Sequence, residues 1–135
     1  MRPQRFTDYL LDLVKNAPTV SRVQTLAEAG DTKHPCGLAI TTNDGVARWQ
    51  FVGQLPDGAK HEGFTDEPVT GAPAPSMGAP AAADSPEAWL AAVLASSECP
   101  EISAINRWST SPNASAQRGL TVGFHDGSRI FARQF

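Results

Sequence analysis

Residues 37–45 read GLAITTNDG, and residues 119–127 read GLTVGFHDG. The two stretches lie 82 positions apart, and the likeness extends well beyond them. At the same offset PTVSRV (18–23) falls on PEISAI (100–105), Asp44-Gly45 falls on Asp126-Gly127, and Trp49 falls on Phe131. At an offset of 80, YLLDLV (9–14) falls on WLAAVL (89–94). Several matches in one order, separated by one small gap, point to a tandem duplication of a unit of roughly 50 residues. Two half-sized units that share a pattern must also find a way to share a core.

Each unit reads as helix, strand, strand, strand. Phe6, Tyr9, Leu10, Leu13 and Val14 follow the spacing of an amphipathic helix, with Thr7 as its expected N-cap and Pro18 as its stop. In the second unit Ser85 caps, Pro86 takes the first helical position, and Trp89, Leu90, Val93 and Leu94 form the stripe. TVSRVQTLAE and EISAINRWST mix β-branched and polar residues as half-buried strands do. GLAITT and GLTVGF are strands, NDG and HDG are tight turns, and VARWQFVG and SRIFARQF return.

A three-stranded meander with one helix buries too little to stand alone. The expected fold is therefore α+β: a six-stranded antiparallel sheet, or two apposed three-stranded sheets, built from two α-β-β-β units, with both helices on one side and an approximate two-fold axis between halves. The expected boundaries are 1–55 for the first unit and 85–135 for the second. Between them, the stretch from Pro56 to Pro86 holds six of the eleven prolines and four of the eleven glycines. Residues 56–84 read as a linker or long surface loop, mobile at least from 69 to 83, because such a composition offers little apolar surface to offset ordering.

Charge and composition narrow the function classes. The net charge is −3. Residues 56–85 hold five acids against one lysine, whereas residues 1–55 hold six bases against five acids and residues 86–135 hold four of each. Neither unit has the basic excess of a duplex-DNA binder. Hydrophobic residues make up 41%, as in globular chains, and no apolar run approaches the roughly 20 residues of a bilayer span. The start, MRPQRFTDYLLDLVKN, carries Asp8 and Asp12 inside its apolar stretch, unlike a signal peptide. The expectation is a cytoplasmic protein without membrane contact. Cys36 and Cys99 read as two separate free thiols.

The chain carries no catalytic motif. His34, His61 and His125 have no metal-ligand spacing, SSEC (96–99) lacks a nucleophile-elbow setting, and no glycine run matches a phosphate loop. His125, matched by Asn43, reads as a turn residue, and so do Asp44 and Asp126. No metal, cofactor or catalytic residue is expected. The last strand is more informative: Arg129, Phe131, Arg133 and Phe135 alternate and so share one face. The 82-residue offset matches that face with Ala47, Trp49 and Phe51. Either this face is core, or it is open and binds. The chain ends within this strand, so an edge there is a further candidate for strand pairing.

The reading by elimination is a small non-catalytic binding or adaptor protein. Its expected partner, another protein or a second copy as a homodimer, docks on Trp49, Phe51, Arg129, Phe131, Arg133 and Phe135. Single-stranded nucleic acid on the same face is the second reading. An enzyme with a new site between the two units is the third.

Overall fold

The computed structural model describes residues 1–43, 45–56, 67–81, 84–111 and 116–135. Its elements are α1 (Pro3–Val14), β1 (Val20–Thr25), β2 (Gly37–Thr42), β3 (Gly45–Gln54), α2 (Pro86–Ser96), β4 (Ile102–Arg107), β5 (Gly119–Phe124) and β6 (Arg129–Gln134), with a 3-10 turn at Trp108–Thr110. The strands form one antiparallel six-stranded sheet in the order β1-β2-β3-β6-β5-β4. Each half contributes a meander, and the meanders meet where β3 pairs with β6 from Trp49↔Gln134 to Gln54↔Arg129. Both helices pack on the same side. The fold class is thus the expected one.

The halves match in detail. β1 and β4 begin 82 residues apart, as do β2 and β5. Both outer pairs carry an irregularity at the same place, between Val20 and Arg22 in one and between Ile102 and Ala104 in the other.

Helix α1 starts earlier than its sequence suggests. Pro3 occupies the first turn, where its missing N–H costs nothing, and Arg2 is the N-cap. Thr7, the expected cap, lies inside the helix, buried, and its hydroxyl donates to Pro3 O at 2.7 Å. Phe6, Leu10 and Val14 face the sheet with no exposure, and Phe6 meets Phe51 and Phe124 edge-on at 5.0 and 6.2 Å. Helix α2 starts as expected, with Ser85 Oγ accepting Ala88 N at 3.3 Å. It is buried far beyond one stripe, on Ala91, Ala92 and Ala95 as well as Trp89, Leu90, Val93 and Leu94. The reason lies in residues 67–81, which have no regular structure but dock beside it. Gly71 N donates to Pro100 O at 2.8 Å, Ala74 packs on the core, and Ser96 Oγ donates to Gly78 O at 3.4 Å. Residues 57–66, 82 and 83 of the expected linker, and with them His61, lie outside the described residues.

One carboxylate ties α2 to the second meander. Glu87, in the first turn of α2, is fully buried. It accepts Arg107 Nε at 3.1 Å, Gly119 N at 2.9 Å, Ser109 N at 3.3 Å and the Ser109 hydroxyl. Burial alone pushes its carboxyl up, but the donors from Ser109, Gly119 and Arg107 outweigh that and hold it below the ordinary value of 4.5. The first turn of α1 has no acid, so the clamp belongs to one half only.

Because the folded carboxyl is held low, its contribution is present above the unfolded value and lost as pH falls through the folded value. Glu87→Gln is expected to lower stability at neutral pH by about 3 kcal/mol, since Arg107 and the donors around it lose their anion. The gap between wild type and variant should close as pH drops below 4.5. Urea unfolding across a pH series reads both effects; a gap that stays constant with pH would show that the buried group is not the anion.

Candidate functional site

The β3–β6 register divides the side chains into two faces. Leu38 pairs with Trp49, Phe51 with Ala132, Leu120 with Ala132, and Val122 with Ile130. These residues lie under the helices. Among the described residues the opposite face carries no helix. From β1 to β4 it presents Arg22 and Gln24, Thr41, then Val46, Arg48, Gln50, Val52 and Gln54, then Arg129, Phe131 and Arg133, then Thr121, then Asn106.

This division corrects the expected grouping of aromatics. Trp49 and Phe51 belong to the covered face, at 1% and 3% exposure. Phe131 stands opposite Val52 and Thr121 on the open face, and Arg133 opposite Gln50 and Gly119. The cause is one residue in a turn. β2 and β3 close with Thr42 opposite Gly45, leaving two residues between. In the second unit Phe124 N donates to Ser128 O at 3.0 Å, leaving three, with Gly127 at φ +88°. The added residue moves the equivalent of Trp49 from Phe131 to Ala132, and a shift of one inverts the faces. The expected free edge at β6 is corrected too. β6 is paired on both sides, and the edges are β1 and β4.

Leu26 and Trp108 flank the open face. Gly37 and Gly119 open β2 and β5 on this face, and each lies under a large side chain. A Cβ on Gly37 would come 2.1 Å from Trp49 O and 2.5 Å from Leu26 Cδ1. A Cβ on Gly119 would come 2.5 Å from Ala132 O and 2.6 Å from Trp108 Cε3. The Gly-Leu of the repeated motif is therefore a packing requirement. Trp108 is fixed by its indole N–H, which donates to Thr121 Oγ1 at 2.9 Å. Between these flanks Arg133 donates to Gln50 Oε1 at 2.9 and 3.2 Å and lies 5.9 Å from the ring of Phe135. Phe135 in turn meets the ring of His34 at 4.7 Å, and His34 Nδ1 lies 2.8 Å from Asp31 Oδ2. That hydrogen bond pulls the Asp31 carboxyl down.

Charge sorts with the faces. No strand position on the open face is Asp or Glu. Among the described residues, none of Arg22, Arg48, Arg129 and Arg133 has a carboxylate within ion-pair distance. Three cations elsewhere are paired: Arg5 with Glu101 at 2.8 Å, Arg107 with Glu87 at 3.1 Å, and Lys15 with Asp12 at 2.8 Å. Val46, Val52 and Phe135 are exposed at 60%, 47% and 44%. Arg22, Arg48, Gln50, Val52 and Trp108 complete the face, and sequence reasoning missed them because it followed the phase of Trp49.

Of the other sequence candidates, His125 and Asp126 make local structural contacts. His125 lies at the β5–β6 turn and its Nε2 donates to Ala72 O at 2.8 Å, which holds the 67–81 segment. Asp126 binds its own turn through Ser128 N at 2.8 Å and lies 3.3 Å from the α-amino group of Met1. Burial raises its carboxyl, but Ser128 and that ammonium outweigh it and leave the carboxyl lowered. Asp44 lies outside the described residues. Cys36 and Cys99 are free, and burial pushes the Cys36 thiol up. Among the described residues no three His, Cys, Asp or Glu side chains gather as metal ligands, and no helix is long and apolar enough to cross a membrane.

Compared with known proteins, the chain matches no family model, no curated protein and no solved structure.

Two outcomes follow from the faces. Gly37→Ala should cost about 3 kcal/mol in urea unfolding, because the new Cβ meets backbone that cannot rotate away. Trp49→Ala and Phe51→Ala should each cost roughly 3–5 kcal/mol, while Arg129→Ala should stay within about 0.5 kcal/mol. Equal losses at all three positions would mean that the faces are assigned wrongly.

Proposed function

We propose that this protein is a non-catalytic binding module whose open sheet face docks an acidic segment of another protein. The observation that carries this reading is the set of four arginines, unpaired among the described residues, on a helix-free face with no acid in its strands. Exposed Val46, Val52 and Phe135 lie among them. Arginine, Phe and aliphatic groups together suit a protein interface, where carboxylates pair with guanidiniums around apolar anchors.

A second copy is a poorer partner for this face. An isologous dimer through it would bring arginines of both copies together, and like charges across an interface are costly. Single-stranded nucleic acid is the second reading, favoured by Phe131, Phe135 and Trp108 beside arginines. It ranks below because Trp49 and Phe51 are buried on the far side, so the middle of the face offers one ring, Phe131, beside aliphatic Val52.

The test compares a labelled Glu/Leu peptide with an oligothymidylate of equal charge, at low and moderate salt. The expected outcome is peptide binding that weakens with salt and falls about tenfold or more in the Arg129→Glu/Arg133→Glu variant. Preference for the oligonucleotide, lost in Phe131→Ala, would replace the first reading by the second. No binding of either at low salt would overturn both.

A further inference from the structure

On the helix side of the sheet, away from the arginines, the β2–β3 hairpin and the start of α2 enclose a cavity of 120 Å³. Ile40, Ala47 and Trp49 rise from the strands, Trp89 descends from α2, and Thr19 and Asp84 border the space. Apolar cavities of about 150 Å³ admit a benzene ring, so this one is sized for a single small ring or a short aliphatic body.

Its polar groups are short of partners. Thr19 Oγ1 is buried with no hydrogen bond among the described residues. Trp49, almost fully buried, presents its indole to the same space. Asp84 accepts Ala81 N at 3.0 Å but has no cation in ion-pair range among the described residues. Glu87 and Glu101, by contrast, each have an arginine in ion-pair range. A buried hydroxyl without a partner is costly unless something else satisfies it.

We propose that this cavity binds a small organic ammonium ion. The two tryptophans supply the wall that such cations favour, since an ammonium near an indole face is attracted by the ring quadrupole. Asp84 supplies the counter-charge at the rim and repels carboxylates. Thr19 Oγ1 supplies an acceptor for an ammonium N–H inside. The site is on the opposite side of the sheet from the arginine face and stands or falls independently of it.

Matched probes test the assignment: benzylamine, benzyl alcohol and benzoate share one ring and differ in charge. Binding is followed by tryptophan fluorescence and by amide NMR shifts at Ala47 and Trp89. The expected result is saturable binding of benzylamine, about tenfold stronger than benzyl alcohol, with benzoate weakest. Asp84→Asn should bring benzylamine down to the level of the alcohol while the thermal midpoint stays unchanged. Ala47→Leu, which fills the floor, should abolish binding of all three without lowering the midpoint. No saturable binding of any probe to the wild type overturns the site. Equal affinity for the three, or an amine preference that survives Asp84→Asn, overturns its assignment to ammonium ions.

Discussion

The pairing of β3 with β6 decides how the rest of the molecule is arranged. Either meander alone would leave one apolar face and two edges exposed, with a single helix to cover them. Joining them places Phe51 beside Ala132 and Gly53 beside Ile130, so that α1 and α2 roof one continuous layer. The same register puts Val52 beside Phe131 and Gln50 beside Arg133 on the other face. Core and open face are therefore two consequences of one set of backbone hydrogen bonds. Sliding that register by a residue would invert one strand against the other, burying the β6 arginines or exposing Trp49.

The repeated Gly-Leu stretch has a role in the same scheme. Each glycine lets the chain just after β1 or β4 fold back over the sheet, with Leu26 over Gly37 and Trp108 over Gly119. The two halves then diverge. The second adds the Glu87 clamp, which reaches the amide of Gly119 from inside the core. A buried anion with four donors fixes the 3-10 turn that carries Trp108, and so sets one flank of the open face from the other side of the sheet. The first half, with Leu26 instead of an indole, makes no such link.

Much of the fold was legible because its signals are local and occur twice. Proline and serine at 85–86 marked the start of α2, Asp-Gly marked the turns, and alternation marked the strands. The phase of the last strand was harder. RIFARQF alternates arginines and rings with Ile130, Ala132 and Gln134, and both series can be buried. The offset of 82 favoured the wrong series, because the repeat comparison cannot see a single residue added within a turn. The added residue lies among the three between Phe124 and Ser128, where the first turn has two between Thr42 and Gly45. The Glu87 clamp was not legible at all. Its donors come from Arg107, Ser109 and Gly119, and nothing in a sequence says that they converge on one carboxylate.

The distribution of charge is the strongest reason to regard the open face as more than leftover surface. A chain of net charge −3 with scattered ions would be expected to place acids on every side. Here Asp12, Glu87 and Glu101 near the helices engage cations, the acid-rich stretch lies between the units, and the only charged residues on the open strand face are arginines. Stability does not require this, since exposed ion pairs contribute little and exposed arginines can be replaced cheaply. Nor does solubility, which Lys and Glu would serve as well. What arginine adds is a planar donor array for carboxylates, set on β3 between the exposed Val46 and Val52. Side chains two residues apart on a strand are roughly 7 Å apart, the spacing at which an extended acidic segment presents its own alternate side chains. The field of such a face also draws anionic partners in before any contact forms, and that contribution requires the uniform sign.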